Sequence, residues 1–302
     1  MNYLITGGTG LVGKQLSRQL LAAGHQVSVL SRSKRQDNQI TFYQWDLKKG
    51  EIESEALKNV DVLIHLAGAG IADKKWTDAR KKEIITSRTE PLEFLRDAFQ
   101  KAGEKPKRIV SASAIGIYGF DTGDKLLTEV HEAGNDYISK VVVDWEKAVD
   151  DFAKAFDITA VKLRIGIVLA KEGGALPQLA LPVKLGVGSP IGDGKQWMSW
   201  IHINDLCGMF KEVSENEHFH DVYNAVSPNP EQNETIVKTL AEVLHRPLWA
   251  PNVPGFALKL LMGERAQLVL GGNKVASARI EEAGYKFEFP ELKEALSAIY
   301  ES

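Results

Sequence analysis

The chain has 302 residues, of which 44% are hydrophobic, and this is enough to bury the core of one large α/β domain and a smaller lobe. Its formal net charge of −3 gives no overall field that would favour nucleic acid or an anionic membrane, so we expect neither as a partner. The single cysteine, Cys207, excludes an internal disulfide and a cysteine-rich metal site.

The first predicted element is a strand, turn and helix at the N-terminus. An apolar run over residues 3–5 stops at a cluster of glycines, and leucines at a helical period follow. Gly7 lets the chain turn off the strand, Gly10 lets backbone N–H groups approach a phosphate, and Gly13 lets the helix lie close to the strand. The helix N-terminus offers free N–H groups and a partial positive charge to a pyrophosphate.

We therefore expect a bound dinucleotide to contact this turn. The expected contacts are Gly7, Thr9, Gly10, Leu11, Val12 and Gly13. A tight turn without a ligand is the alternative, because a glycine triplet alone is a weak motif.

The second predicted strand, residues 27–30, ends at the basic stretch 31–35. In a dinucleotide-binding fold this strand end meets the adenosine ribose, where an acidic residue suits NAD and a basic residue suits the 2′-phosphate of NADP. Arg32 occupies that place, and no Asp or Glu does. The sequence therefore predicts NADP(H) in preference to NAD(H), with a solvated basic loop as the alternative.

A third strand is predicted over residues 40–45, and Asp46 and Leu47 follow it. We place both residues beside the adenine. The Asp46 carboxylate could meet the adenine amino group or could cap the loop, and the sequence leaves both readings open.

The fourth predicted strand, residues 60–68, is a near-continuous apolar run typical of a strand covered on both faces. Small residues at its end would let a cofactor pass close by, so we expect cofactor contacts at Leu66, Ala67 and Gly68. His65 is expected to be a buried structural residue rather than a base.

A helix is predicted from Asp78 onward, with Thr77 as its N-cap. Most of its charged side chains are expected to face solvent. Arg88, nearer the apolar end, is expected to point inward and to bind the cofactor. Trp76 stands on the rim where such sheets bind ligands, so it is either a substrate contact or a packed residue.

Two more strands, at residues 108–113 and 161–165, flank a predicted helix over residues 139–156. Strands that alternate with helices through short turns predict a doubly wound parallel sheet, the Rossmann-like α/β class.

Glycine and proline become dense from Gly173 onward. We assign residues 1–170 to a NAD(P)-binding domain and residues 171–302 to a smaller C-terminal α/β lobe that covers the substrate. A strand near 222–225 is expected to return to the first domain.

Several motifs resemble those of extended short-chain dehydrogenases/reductases, the superfamily of UDP-glucose 4-epimerase and the sugar-nucleotide dehydratases. The similarity is strongest to its branch of epimerase family proteins, which bind NAD(P) and have a C-terminal domain of their own. The motifs are the glycine turn, His65-Leu66-Ala67-Gly68, residues 111–119, Asp144-Trp145-Glu146, and residues 164–169, 173–176, 194–205 and 223–296.

The resemblance also implies a Tyr-x-x-x-Lys pair, in which the lysine lowers the tyrosine pKa so that the phenol can exchange a proton. This chain is an atypical member, because Ile138 and Val142 stand at those two places. Tyr137 and Lys140 are one residue too close together, which turns the lysine about 100° around the helix. The remaining catalytic candidates are Ser113 and Tyr118, with Tyr137 and Lys140 as weaker ones.

Three functions remain open at this point. The preferred one is an atypical NADP(H)-dependent oxidoreductase for a small carbonyl or alcohol substrate. The second is an NADPH-binding sensor or regulatory protein without turnover. The third is a nucleotide-sugar epimerase, which we disfavour because reversible oxidation of a sugar needs an efficient proton relay.

Substrate contacts are also predicted at Arg164, Gln196 and His202. Gln196 and His202 follow flexible glycines in a segment rich in tryptophan, where rings supply area and polar groups supply orientation. Trp200 in that segment is expected to be a packed residue. Arg164 either braces the site or pairs with an acid at the sheet edge.

No apolar run reaches the length of about 18 residues that a membrane span needs. The chain enters a predicted strand directly rather than a signal peptide. We expect a cytoplasmic monomer or homodimer. The histidines show no metal-ligand spacing, so no metal site is predicted.

Overall fold

A computed structural model describes residues 1–301. Its strands are β1 (Asn2–Thr6), β2 (Gln26–Ser31), β3 (Thr41–Asp46), β4 (Glu51–Ile52), β5 (Val62–His65), β6 (Arg108–Ala114), β7 (Leu126–Leu127), β8 (Thr159–Ile165), β9 (Ile167–Leu169), β10 (Trp197–Met198), β11 (Trp200–His202), β12 (Asp221–Ala225), β13 (Glu231–Gln232) and β14 (Lys274–Val275). Its α-helices are α1 (Leu11–Ala22), α2 (Asp78–Ala102), α3 (Tyr137–Phe156), α4 (Leu176–Lys184), α5 (Ile203–Glu215), α6 (Asn233–Val243), α7 (Gly255–Met262), α8 (Gln267–Leu270), α9 (Ala278–Glu282) and α10 (Leu292–Tyr300).

The centre of the molecule is an eight-stranded sheet in the order β12-β8-β6-β5-β1-β2-β3-β4. Every pair in it is parallel except β3–β4, which is antiparallel. Helices α1 and α5 pack together on one face, and α2 and α3 pack together on the other. The strand order reverses between β1 and β5, and ligands of such sheets bind at the carboxyl ends of the strands beside this reversal.

The main core lies on both faces of the central strands. Leu4, Ile5, Leu63, Ile64 and Val110 are fully buried there. Residues buried on both faces explain why these strands read as continuous apolar runs instead of alternating ones.

A second, smaller core lies in the C-terminal part of the chain. Leu176 of α4, Leu240 of α6 and Leu296 of α10 are fully buried around Trp200. Strand β11 pairs in parallel with β9, and α5 follows it without a break. The strand expected near 222–225 is β12, which pairs with β8 at one edge of the main sheet.

The structure corrects several predicted boundaries. The fourth strand is shorter than the predicted 60–68 and ends at His65, so Leu66, Ala67 and Gly68 lie in the loop beyond the sheet. Helix α3 begins at Tyr137, because the Asp136 side chain accepts a hydrogen bond from the Ser139 N–H and caps the helix there. None of the helices within residues 1–301 is both long and apolar enough to cross a bilayer.

Candidate functional site

The turn between β1 and α1 can accept only glycine at two of its three predicted positions. Gly7 has a φ of +71°, and a Cβ there would lie 2.6 Å from the carbonyl carbon of Leu66. A Cβ on Gly13 would lie 2.5 Å from the Cα of Gly8, so the helix could not approach the strand. A Cβ on Gly10 would meet only the carbonyl oxygen of Gly7, at 3.3 Å. The missing side chain of Gly10 therefore leaves space on the outer surface of the turn, and not within its packed interior.

The N-terminus of α1 is suited to an anion. Gly10 is the N-cap and supplies no side-chain hydrogen bond, and no acidic residue lies in the first turn. The N–H groups of Leu11, Val12 and Gly13 lie ahead of the first intrahelical donor, so they are left for a ligand. Thr9 is partly buried beside them. The local geometry fits a dinucleotide phosphate.

Leu11 and Val12 also join this turn to the rest of the chain. A Cβ on Gly173 would lie 3.3 Å from Cδ2 of Leu11, so the start of the C-terminal part packs closely on α1. The Val12 carbonyl accepts a weak bond from Sγ of the buried Cys207, at 3.8 Å. The helix is thus held from two sides while its N-terminus stays accessible.

Arg32 lies just beyond β2 and is exposed. It makes no ion pair or side-chain hydrogen bond within residues 1–301. The bend before it is fixed by Ser31, whose Oγ donates to the Ser33 carbonyl at 2.8 Å. The Arg32 guanidinium is therefore unpaired at the position where the sequence predicts the adenosine 2′-phosphate.

Asp46, the last residue of β3, caps the next turn. Its Oδ1 accepts from the N–H groups of Lys48 and Lys49, at 2.9 and 3.3 Å. Asp46 therefore caps the loop, as one of the two predicted alternatives has it, and only its Oδ2 atom is left to meet an adenine. Leu47 is partly buried and packs on the main core.

The residues after β5 lie beside the glycine turn. The Ala67 N–H donates to Thr6 Oγ1 at 3.3 Å, and Leu66 packs on the main core. His65 is fully buried, as expected for a structural residue. Its Nε2 lies 3.0 Å from the Arg88 carbonyl and its Nδ1 2.8 Å from Thr6 Oγ1. Because a carbonyl can only accept, Nε2 carries the proton and Nδ1 accepts from Thr6.

Arg88 points inward from α2 toward this loop, as the sequence predicts. Its Nη1 donates to the Ile84 carbonyl at 2.7 Å, and its guanidinium lies 5.1 Å from the centre of the Trp145 ring. A Cβ on Gly68 would lie 3.1 Å from its Cζ. The guanidinium is therefore directly beside the end of β5.

Both predicted catalytic hydroxyls belong to one buried polar network. Ser113, Arg164 and Asn224 are register partners on β6, β8 and β12, so their side chains leave the same face of the sheet. Ser113 Oγ donates to Glu146 Oε1 at 2.5 Å. Arg164 meets both oxygens of Glu146, through Nε at 2.8 Å and Nη2 at 3.0 Å. Arg164 therefore pairs with an acid instead of facing a substrate.

Tyr118 closes this network. Its hydroxyl donates to Asn224 Oδ1 at 2.8 Å and accepts from Arg164 Nη1 at 3.1 Å. Burial raises the pKa of Tyr118, and the Arg164 charge opposes that rise. Ser113 and Tyr118 are 2% and 4% exposed, so both hydroxyls are buried within this network.

The places of the family's proton relay are apolar in the structure. Ile138 and Val142 are buried, and a Cβ on Gly116 would lie 2.6 Å from Cγ2 of Ile138. Tyr137 does not face Lys140: its hydroxyl donates to the Lys81 carbonyl at 3.0 Å. Lys140 is exposed and pairs with Asp144 at 3.2 Å. The two weaker candidates therefore form no catalytic pair.

Trp76 is a packed residue that helps to fix the loop between β5 and α2. It is 8% exposed and packs against Phe120 and Tyr137. Three consecutive carbonyls of the loop accept side-chain bonds: Gly70 from Arg80 at 2.5 Å, Ile71 from Trp76 at 2.8 Å, and Ala72 from Arg265 at 2.7 Å. The C-terminal part of the chain thus holds the loop that borders the site.

The two predicted substrate contacts in the tryptophan-rich segment serve the fold. The Gln196 amide donates to the carbonyls of Ile191 and Val269, at 3.1 and 2.9 Å, while its Oε1 is buried without a partner in the described chain. His202 Nδ1 accepts from the Asn204 N–H and caps α5. Burial lowers the pKa of His202 to about 4, so it is neutral at physiological pH. Trp200 is fully buried, as expected.

Sequence reasoning missed the partners that complete these arrangements. Glu146, Asn224 and Arg265 were not among the predicted site residues. Only Glu146 had a signal, since it lies on the apolar face of α3 four residues after Val142. The partners of Asn224 and Arg265 are more than 100 residues away in the chain, so no local pattern marks them.

Comparisons with known proteins agree with this architecture. The model of the NAD dependent epimerase/dehydratase family matches residues 3–225, and a domain of unknown function, DUF1731, matches residues 253–299. Epimerase family protein YfhF of Bacillus subtilis is 36% identical over 301 residues, which cover 99% of this chain and 98% of that protein.

Two solved structures are also similar. The structure of the human epimerase family protein SDR39U1 (isoform 2) with NADPH is 32% identical in sequence and has a TM-score of 0.88. The match covers 100% of this chain and 99% of the human chain. A nucleoside-diphosphate sugar epimerase from Corynebacterium glutamicum is 32% identical, with a TM-score of 0.79. The match covers 99% of this chain and 58% of the Corynebacterium chain. The predicted fold class and the predicted family resemblance are both confirmed.

Proposed function

The chain belongs to the NAD dependent epimerase/dehydratase family, and from this premise we propose that it is an NADP(H)-binding oxidoreductase for a small carbonyl or alcohol substrate. The observation that carries the proposal is the turn at Gly7, Gly10 and Gly13. Its glycines admit a phosphate, and the helix behind it has no side-chain cap of its own.

The preference for NADP(H) is supported by Arg32. Its guanidinium is exposed and unpaired within the described chain, and a guanidinium binds a phosphate with two parallel hydrogen bonds. The human relative was solved with NADPH. On this chain Arg32 would hold the 2′-phosphate, and the N–H groups of Leu11, Val12 and Gly13 would hold the pyrophosphate.

Substituting Arg32→Asp tests the cofactor. Titration of NADPH and NADH into apo protein, followed by fluorescence, should show tighter NADPH binding for the wild type. The substitution should weaken NADPH binding by about 10- to 100-fold, which is the scale of a charge-assisted pair. Arg35→Asp, an exposed arginine three residues away, is the matched control and should have little effect. Equal affinities in the wild type, or an unchanged preference in Arg32→Asp, would contradict the assignment.

A bound nicotinamide would supply a hydride to a carbonyl or accept one from an alcohol, and this chain would then have to donate or accept the matching proton. Tyr118 is the residue we assign to it, because Arg164 Nη1 lies 3.1 Å from its hydroxyl oxygen and puts a cation beside the phenol. Tyr118 also lines a cavity of about 410 Å³ together with Lys125 and His131.

A second candidate function, cofactor binding without turnover, is favoured by one observation. Tyr118 donates to Asn224 and Ser113 donates to Glu146, so both hydroxyls have acceptors already. A screen of carbonyl compounds for NADPH oxidation separates the two functions. Turnover that is lost in Tyr118→Phe, with NADPH affinity retained, supports the oxidoreductase. Tight binding with no compound reduced supports the second function, and an undiminished rate in Tyr118→Phe removes Tyr118 from the chemistry.

A further inference from the structure

Helix α7 presents apolar side chains to solvent instead of to a core. It contains no buried residue, and Lys259 is its only charged one. Phe256, Leu260 and Leu261 are all highly exposed, Leu260 at 89%. Trp249, shortly before the helix, is exposed as well. Single exposed apolar residues are ordinary on a protein surface, but a group of large ones on one short segment is not.

A second exposed apolar segment, with Leu185 and Val187, follows α4 and joins the first. A parallel bridge links Ile191 to Val253. Two backbone bonds of 2.9 Å support it, from the Val253 N–H to the Pro190 carbonyl and from the Gly192 N–H to the Val253 carbonyl. Val187 and Trp249 each precede this bridge by the same number of residues, so the two segments run side by side. We call their exposed side chains the apolar face: Leu185, Val187, Trp249, Phe256, Leu260 and Leu261.

The apolar face is large for a protein that stays alone in solution. Its six residues are 52–89% exposed. At ordinary side-chain sizes this leaves roughly 800 Å² of their surface uncovered, whereas the largest apolar patch on a typical monomer is about 300–600 Å². A standard interface buries about 800 Å² on each partner. The face therefore has the area that one half of a stable dimer needs.

The apolar face is also held in place. The bridge at Val253 fixes the chain before α7. After the helix, Glu264 pairs with Lys81 at 2.6 Å, and Arg265 donates to the Ala72 carbonyl at 2.7 Å. A helix anchored at both ends is a fixed surface and not a free lid, so little conformational entropy is lost when a partner covers it.

The charges near the face do not suit an anionic membrane. The cations on α4 and α7 are Lys184 and Lys259. The Lys184 ammonium lies 4.7 Å from the centre of the Tyr300 ring, so it is directed to that ring. A helix that binds in the membrane interface carries many basic residues on its polar face, and α7 has one.

We infer that the apolar face binds a second copy of this chain, the same face of each copy covering the other in a two-fold dimer. A second copy offers an equally large and equally apolar surface, and two-fold dimers are the commonest oligomers. Trp and Phe are among the residue types enriched at the centre of such contacts. The face is separate from the glycine turn, so this assembly does not depend on NADPH binding.

Sedimentation velocity of the full chain over a wide concentration range tests the inference. The variants are Leu260→Glu on α7 and Leu185→Glu on the other segment. Val130→Glu is the control, because Val130 is 88% exposed but lies between β7 and α3, outside the face. All three positions are exposed in the monomer, so thermal melting should be unchanged and verifies that each variant is folded.

The wild type should dimerise, and each of the two face variants should raise the Kd of the dimer by at least about 100-fold, because a two-fold contact buries the new carboxylate twice without a partner. Val130→Glu should leave that Kd unchanged. A wild type that is monomeric at every concentration overturns the inference, and so does a dimer that both face variants leave intact. Vesicles of phosphatidylcholine and phosphatidylglycerol are the second probe: a monomer that cosediments with them, and no longer does so as Leu260→Glu, would assign the face to a membrane and overturn the inference as well.

Discussion

The ion pair between Glu146 and Arg164 should be one of the most sensitive points of the fold. The two side chains are 11% and 8% exposed, and the shorter of their contacts is 2.8 Å. Burial disfavours the charge on Arg164, but the hydrogen bonds and charge of Glu146 outweigh that effect and raise the Arg164 pKa. Glu146→Gln keeps the shape of the side chain and removes its charge. Arg164 would then be a buried cation without a counter-ion.

Loss of one partner from a buried pair costs about 3–5 kcal/mol. The exposed pair between Lys58 and Glu55 provides the matched comparison, because its contact is 2.7 Å but its side chains are 53% and 64% exposed. An exposed pair contributes about 0–1 kcal/mol, so Glu55→Gln should cost very little. Because the two ion pairs have nearly equal contact distances but differ in burial, the difference between their stability losses measures the effect of desolvation.

The free energy of unfolding should be measured by urea denaturation at pH 7 for both variants. We expect Glu146→Gln to lose at least about 2 kcal/mol more than Glu55→Gln. The double variant Glu146→Gln with Arg164→Met should recover part of that loss, since it also removes the unpaired charge. Equal losses in the two single variants would refute the argument that burial makes this pair important.

Two further predictions concern the N-terminal half of the site. Gly10→Ala should fold normally but weaken NADPH binding about tenfold or more, because its Cβ would meet only one backbone oxygen and would occupy the space above the turn. Gly13→Ala should also lower the free energy of unfolding by about 1–3 kcal/mol. Cofactor titration and urea denaturation of both variants test this, and normal NADPH binding by Gly10→Ala would contradict it. His65 is neutral in the folded state because burial lowers its pKa to about 4, while the unfolded chain binds a proton near pH 6.5, so His65 should cost about 2 kcal/mol of stability as the pH falls from 7 to 5. His65→Gln should lose correspondingly less over that interval, and identical pH profiles would contradict the prediction.

Local patterns explain what could be predicted from the sequence. The glycine turn, the buried strands and the cap at Thr77 depend on residues close together in the chain, so spacing and period reveal them. The short strand β4 was not predicted, because two residues carry no measurable period. Arg88 points inward as predicted, since it follows the buried Ile84 by one helical turn.

The surroundings of the two candidate catalytic hydroxyls were harder to predict because their contacts are distant in sequence. Ser113 and Tyr118 resemble family motifs, but their partners lie on α3, β8 and β12. A polar side chain at a strand end looks the same in the sequence whether it faces a substrate or a buried acid. The N-cap position of His202 was also not predicted, since the helix that it caps begins in a segment whose sequence is typical of a ligand-binding loop.

The late position of β12 in the chain has a consequence for biosynthesis. During synthesis the glycine turn emerges before Tyr118, and Asn224, which binds Tyr118, emerges 106 residues after Tyr118. N-terminal regions generally fold first during translation. The nascent chain can therefore form its nucleotide-binding half early, while Tyr118 and Arg164 wait for the edge strand that completes their hydrogen bonds.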